Sequence, residues 1–289
     1  DGFWEFRDLL MLRTRVEAAG LRLYAIENVP RDFYDKVRLG LPGRDEQIEN
    51  VRKTIRNIGR AGIPVLGYDF MLVGVWRTGY SPQGRGGAKV TIYDHELAKR
   101  APTFEMGEFD DETMWANYTY FLEAVVPVAE EEGVMLALHP DDPPVPSIAG
   151  TARIFRSIEA YKRVIEIVPS PANGLEFCQG TVAEMCHTPD EVYDAIRYFV
   201  SRNKIAYVHF RSVDSTVPRF AETFIDEGRI DMLKAMRAYH DAGFEGVLIV
   251  DHTPGMVGDT RWGHRGRAYA IGYMKALIKC VRAGEGGPL

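Results

Sequence analysis

The 289-residue length suits one large α/β domain, since barrels of this class commonly run to roughly 250 residues, and the hydrophobic fraction of 46% is that of a globular protein. No apolar run reaches the ~20 residues that cross a bilayer, and a net charge of -6 with scattered basic residues argues against a nucleic-acid partner. Three cysteines without a CxxC motif, and the lack of a basic-then-apolar leader, predict a cytoplasmic protein.

Helical and strand patterns alternate along the chain. A helix over residues 1–21 leads to the strand LRLYAIENVP, and the amphipathic helix DEQIENVRKTIRNIGRAG leads to the strand IPVLGYDFM. Further helices are predicted at about 111–133, 152–168, 188 onward, 229–243 and 267–283. Between them lie four apolar runs that end at or near His139, Cys178, His209 and Asp251.

This alternation predicts a parallel sheet with right-handed crossovers in a single catalytic domain over residues 1–289. Eight strands would close a TIM (β/α)8 barrel, whereas six are counted, so we expect the first strands to precede residue 1. A doubly wound open sheet is the alternative, although no GxGxxG motif follows a strand to support a dinucleotide site.

Residues 73–108 interrupt the alternation. The segment is rich in Gly, polar and aromatic residues, and it is too long for a routine connection between a strand and a helix. We predict a long loop that acts as a lid over the active site.

Four residues that bind metals well follow four apolar runs at the same relative position: His139, Cys178, His209 and Asp251. Parallel strands in a barrel deliver such residues to one end, where barrel active sites lie. Each of them alone could be a packed cysteine, a core histidine or a turn aspartate. Together they predict one metal site, in which thiolate and imidazoles favour Zn2+ or iron and the carboxylate also suits Mn2+.

Polar residues flank the predicted ligands. Arg77 and Arg211 could each hold a substrate carboxylate through a guanidinium fork, and His252 could transfer a proton near neutral pH. Asp141 and Asp142 could contact a hydroxylated substrate. The alternatives are a structural salt bridge for Arg211 and a turn stiffened by prolines for the two aspartates.

The motifs LALHPDDPP, GLEFCQGT, VHFRSV and DH, with IENVP, YDFM and WRTGY upstream, resemble the mannonate dehydratase family along nearly the whole chain. The resemblance implies a xylose-isomerase-like TIM barrel that dehydrates D-mannonate to 2-keto-3-deoxy-D-gluconate in hexuronate breakdown. It also implies that His139, Cys178, His209 and Asp251 bind Mn2+ or Fe2+, and that His252 is a catalytic acid/base.

The resemblance further implies a catalytic tyrosine, which could correspond to Tyr269 or Tyr273. This pair has the i, i+4 spacing of a helix and could equally be a core stripe. The implied partner is a small sugar acid, with the chain in a homo-oligomer, a dimer. A sugar isomerase or epimerase on the same barrel is the alternative enzyme, although such enzymes rely on carboxylate ligands, and a binding protein with a structural metal is the non-enzymatic alternative.

Overall fold

The computed structural model describes residues 2–81 and 84–284. The strands in chain order are β1 (Ala25–Ile26), β2 (Val65–Tyr68), β3 (Gly79–Ser81), β4 (Val90–Asp94), β5 (Met135–Leu138), β6 (Ser147–Ile148), β7 (Thr151–Ala152), β8 (Asn173–Cys178), β9 (Ile205–His209), β10 (Arg219–Ala221) and β11 (Val247–Ile249). The α-helices are α1 (Phe6–Ala18), α2 (Asp35–Leu39), α3 (Arg44–Arg60), α4 (His95–Ala98), α5 (Asp111–Glu131), α6 (Ile158–Ile167), α7 (Gln179–Met185), α8 (Pro189–Val200), α9 (Met232–Asp241) and α10 (His264–Ala283).

Six parallel strands form a curled half-barrel sheet in the order β1-β2-β5-β8-β9-β11. The sequential order of neighbours follows from strand-helix units that each cross over to the next position in the sheet. Every residue of β2, β8 and β9 is buried, because helices cover one face and side chains fill the other. The predicted TIM-barrel type of α/β fold is confirmed, with six parallel strands in the main sheet of the described residues.

The helices pack on the outer face of this sheet through apolar stripes. In α3 the buried side chains Ile48, Val51, Ile55 and Ile58 recur at helical spacing and join the main core. The predicted start of α8 is confirmed, since Thr188 and the third helical residue, a glutamate, form a capping box. The described helices include none that is long and apolar enough to span a membrane.

The predicted helix at 152–168 begins too early. The structure places Thr151–Ala152 in β7, and the helix starts only after Ser157, whose hydroxyl accepts a hydrogen bond from the amide of Ala160. The Ser157 cap therefore sets the boundary, and Thr151–Ala152 pair with β6 in a small hairpin.

Residues 73–108 are not one irregular loop. They contain β3, β4 and α4, and β4 pairs antiparallel with both β3 and β10 to give a separate three-stranded sheet. The register places Ile92 opposite Ala221, so the segment is tied to the chain that follows β9. A lid role for it remains a prediction.

Candidate metal centre

The carboxyl ends of four neighbouring strands meet at one end of the sheet. Cys178 and His209 are the last residues of β8 and β9 and lie directly opposite each other in the parallel register. His139 follows β5, and Asp251 lies two residues beyond Ile249, the residue paired with His209. Because side chains alternate along a strand, Asp251 points to the same face as Ile249 and reaches the ends of the other strands.

These residues form a compact buried cluster. Donor atoms of His139, Cys178 and His209 all lie within 4.8 Å of one another. Oδ2 of Asp251 lies 3.7 Å from Sγ of Cys178 and 3.5 Å from Nδ1 of His209. The structure therefore brings together all four residues that the sequence analysis selected.

Each imidazole of the cluster presents one nitrogen for an ion. His139 donates from Nδ1 to the carbonyl oxygen of Pro140 at 2.7 Å, which leaves the lone pair of Nε2 free. His209 directs Nε2 to carboxylates of Glu176, at 2.8 Å, and Glu27, at 3.1 Å. Its Nδ1 is buried without a hydrogen-bond partner among the described residues. Such a buried nitrogen facing a thiol and a carboxylate fits a divalent metal ion.

The electrostatics of the cluster favour the anionic thiolate. Burial raises the pKa of Cys178, but the positive charge of Arg211 and the adjacent imidazoles of His139 and His209 outweigh burial and lower it to about 6. Burial likewise lowers the pKa of His139, whereas the Glu176 carboxylate and the thiolate raise it to about 10. A metal ion bound here would displace the imidazole protons on the cluster side, because histidine binds metals in its neutral form.

A buried network of charges adjoins the cluster and centres on Arg211, which is 3% exposed. Its guanidinium donates to Asp251 at 2.6 Å, to Glu222 at 3.0 Å, and to both Asp142 and Glu184 at 3.1 Å. Arg211 therefore forms the salt bridges that the sequence analysis gave as the structural alternative. It links the metal cluster to the carboxylates behind His252.

Arg77 and His252 lie at the edge of this network. Arg77 donates to Glu222 at 2.6 Å and to Asp142 at 2.9 Å, and its Nε is buried without a partner in the described chain. Nδ1 of His252 lies 2.8 Å from Oε1 of Glu222. Burial lowers the pKa of His252, but the carboxylates of Asp251 and Glu222 raise it overall.

The three carboxyl groups of the network differ in charge state. Burial opposes ionisation of Asp142, but Arg77 and Arg211 hold its pKa well below the usual range. Glu222 has a lowered pKa, because Arg211 and His252 outweigh its burial. Burial and the Asp142 charge raise the pKa of Glu184 well above its ordinary value, so Glu184 holds a proton more tightly than Asp142 or Glu222.

An open cleft of about 1230 Å³ lies over the network. Its lining includes Arg77, Glu222, Asp251 and His252, and its walls come from the 73–108 segment and from the residues after His252. Lys89 of the former wall exchanges two backbone hydrogen bonds, of 3.0 and 2.7 Å, with Gly255 of the latter. The cleft gives a small molecule access to the charged side chains.

Three other predicted site residues have separate surroundings. Asp141 is buried and accepts a hydrogen bond of 2.7 Å from the amide of Phe155, so it braces the turn after His139. Tyr269 and Tyr273 lie one turn apart on α10. The hydroxyl of Tyr269 lies 3.4 Å from Nη2 of Arg85, and its ring packs edge-on against another aromatic ring.

The sequence analysis did not select four acidic residues that the structure brings to the site: Glu27, Glu176, Glu184 and Glu222. Glu176 lies two residues before Cys178 in β8, so strand alternation places it on the same face, and that pattern could have identified it. Glu222 follows the short strand β10 in a stretch with no ligand motif nearby. Only the tertiary fold reveals its contact with His252.

Known proteins share the sequence pattern and the fold of this chain. The family model for D-mannonate dehydratase (UxuA) matches residues 1–105 and 96–285. The mannonate dehydratase of Thermotoga maritima is 36% identical over 95% of this chain and 83% of its own length.

Solved structures give the same grouping. The crystal structure of mannonate dehydratase from Streptococcus suis matches with a TM-score of 0.90 and 32% identity, over 98% of this chain and 85% of that one. A xylose isomerase domain protein from Planctomyces limnophilus matches with a TM-score of 0.61 at 12% identity, over 96% of this chain and 86% of that one. The second likeness concerns the fold alone.

Proposed function

The chain belongs to the mannonate dehydratase family, and from that membership we propose that it removes water from D-mannonate with the help of a divalent ion held by His139, Cys178, His209 and Asp251. The product is 2-keto-3-deoxy-D-gluconate. The observation that supports this site most strongly is the buried Nδ1 of His209, which has no hydrogen-bond partner among the described residues and lies 3.5 Å from Asp251.

The ion is proposed to be Mn2+ or Fe2+, with Zn2+ as the alternative. Two imidazoles, a thiolate and a carboxylate supply two negative charges, which balance a divalent cation and avoid a large cost of buried net charge. When bound, the ion would polarise substrate oxygens and stabilise negative charge that develops near them. The thiolate favours iron and zinc, while the carboxylate also suits manganese.

The elimination breaks the C2–H bond and the C3–O bond of the sugar acid. A base takes the C2 proton, the C3 hydroxyl accepts a proton and leaves as water, and the resulting C2–C3 enol becomes the 2-keto acid. The C2 proton is weakly acidic because the adjacent carboxylate is already anionic, so both proton transfers need positioned groups. We assign one of them to His252, which lines the cleft beside Asp251.

We propose that the substrate carboxylate binds near Arg77. The guanidinium lines the cleft, its side chain is 11% exposed, and its Nε has no hydrogen-bond partner in the described chain. The Nη atoms already donate to Asp142 and Glu222, so the substrate carboxylate is proposed to bind through Nε and the positive charge of the group. Asp142 and Arg211 lie behind Arg77 and are proposed to orient it rather than to reach far into the cleft.

The second proton carrier, Tyr269 or Tyr273, stays a prediction. Tyr269 contacts Arg85 through its hydroxyl, and both tyrosines lie on α10. Replacing each by phenylalanine and measuring turnover tests the assignment. A homodimer and a cytoplasmic location also stay predictions, of which the first is checked by light scattering on the purified chain.

A direct assay tests the proposed function. The metal-reconstituted protein is incubated with D-mannonate and, separately, with ketoses, and the 2-keto-3-deoxy acid is measured. The His252→Ala variant should lose turnover while its metal content and melting temperature stay at the wild-type values. Formation of an epimerised ketose without any keto acid would contradict the proposal.

A further inference from the structure

We infer that Glu222 is a positioning residue for the proton-transferring histidine: its carboxylate fixes the ring of His252 through Nδ1 and leaves Nε2 as the nitrogen that exchanges a proton. This inference rests on the proposed function for its catalytic meaning. The contact that supports it is the 2.8 Å separation of Glu222 Oε1 and His252 Nδ1.

The position of Glu222 is rigid. The side chain is buried, with 3% of its surface exposed, and its backbone amide donates to the carbonyl oxygen of Thr91 at 3.0 Å. An isolated antiparallel β-bridge also joins Glu222 to Val213, so the backbone of Glu222 has strand-like contacts on both sides. The oxygen that meets His252 is therefore fixed by a sheet rather than by a mobile loop.

The ring of His252 needs a hydrogen-bond partner that fixes its orientation. It follows Asp251 after the end of β11, and its side chain is 32% exposed along the cleft. Nε2 lies 3.7 Å from Oδ1 of Asp251, which is beyond hydrogen-bond distance. Glu222 is thus the carboxylate within hydrogen-bond reach that can set the orientation of the ring.

Two charged groups approach Nδ1 of His252, and the shorter contact decides the tautomer. Nη2 of Arg77 lies 3.2 Å from Nδ1 of His252. This Arg77 nitrogen also lies 2.6 Å from Oε1 of Glu222 and donates a hydrogen bond to that oxygen. The carboxylate oxygen at 2.8 Å then accepts the proton on Nδ1. This arrangement keeps the proton on Nδ1 and leaves Nε2 available for exchange.

Residues 73–108 also support the backbone of Glu222. The segment supplies β4, in which Ile92 pairs with Ala221 of β10. Glu222 is the residue directly after Ala221. Its Thr91 carbonyl holds the Glu222 amide. The hairpin therefore carries the support for His252 as well as a wall of the cleft.

The test compares Glu222→Gln with Glu227→Gln, a matched change in the same stretch at a residue whose side chain is 38% exposed and pairs with Arg85. In Glu222→Gln we expect kcat to fall by roughly 10²-fold, as for loss of an oriented proton carrier, with a much smaller change in KM, because the amide oxygen still accepts from Arg77, and with metal content unchanged. Glu227→Gln should behave as wild type. A kcat in Glu222→Gln equal to that of the control overturns the inference.

A second measurement needs neither turnover nor a variant of Glu222. In 15N-histidine-labelled, Zn2+-loaded wild-type protein, the His252 signals, identified by their loss in His252→Ala, should show the proton on Nδ1. A proton on Nε2 with Nδ1 bare would overturn the inference. If wild type does not dehydrate D-mannonate, the proposed function fails, and this spectrum still decides the role of Glu222.

Discussion

Replacing Glu176 by glutamine should weaken metal binding without touching a ligand. Oε1 of the buried carboxylate lies 2.8 Å from Nε2 of His209, on the side of the ring opposite the nitrogen that faces the cluster. Removing its charge reduces the basicity of the imidazole and loosens the ring.

The expected loss of metal affinity depends on which carboxylates remain near Nε2 of His209. Carboxylate partners of metal-binding histidines contribute about 10- to 100-fold in affinity. Glu27 lies 3.1 Å from the same nitrogen and keeps one negative charge there, so Glu176→Gln alone should lose about tenfold, or about 1.4 kcal/mol. The double change with Glu27→Gln should approach about 100-fold.

A competition titration with a fluorescent chelator measures these affinities for Mn2+ and Zn2+. The control is Glu166→Gln, an isosteric change at an exposed position of α6. An affinity of the Glu176→Gln protein equal to that of the control would refute the reasoning, because His209 would then bind no ion through Nδ1.

Further expected outcomes concern three residues. Cys178→Ala removes the soft donor and should lower metal content measured by mass spectrometry, with an affinity loss of at least about tenfold; full metal content would contradict its place as a ligand. Arg77→Lys keeps the charge but loses the unpaired Nε–H, so KM for D-mannonate should rise about tenfold in steady-state assays, and an unchanged KM would exclude Arg77 from substrate binding. Burial and Asp142 raise the pKa of Glu184, so its contribution to stability is present below about pH 4.3 and is lost as the pH rises. Glu184→Gln should therefore gain melting temperature over wild type progressively from pH 5 to 8, and a constant difference would show that Glu184 is ionised.

The strand ends were predictable because parallel strands are apolar runs of short, regular length. Cys178 and His209 stand at the end of such runs, and their pairing in the parallel register follows from the fold class. Asp251 also reached the cluster, since its distance from the paired residue Ile249 is the two-residue repeat of a strand.

The parts that could not be predicted depend on contacts between distant segments. Glu222 meets His252 only because β10 pairs with β4, which lies far upstream in the chain. Polarity and glycine content in residues 73–108 indicated a loop, whereas the strands there are short and their pairing is a tertiary property. The early start predicted for α6 came from reading β7 as helix before the Ser157 cap.

An anomalous diffraction map of crystals of the Mn2+- or Fe2+-reconstituted protein shows directly where the ion binds. We expect one strong peak at bonding distance, about 2.0–2.3 Å, from His139, Cys178, His209 and Asp251. A peak elsewhere, or density that leaves the Cys178 sulfur packed only against protein atoms while D-mannonate is still dehydrated, would contradict the proposed metal site.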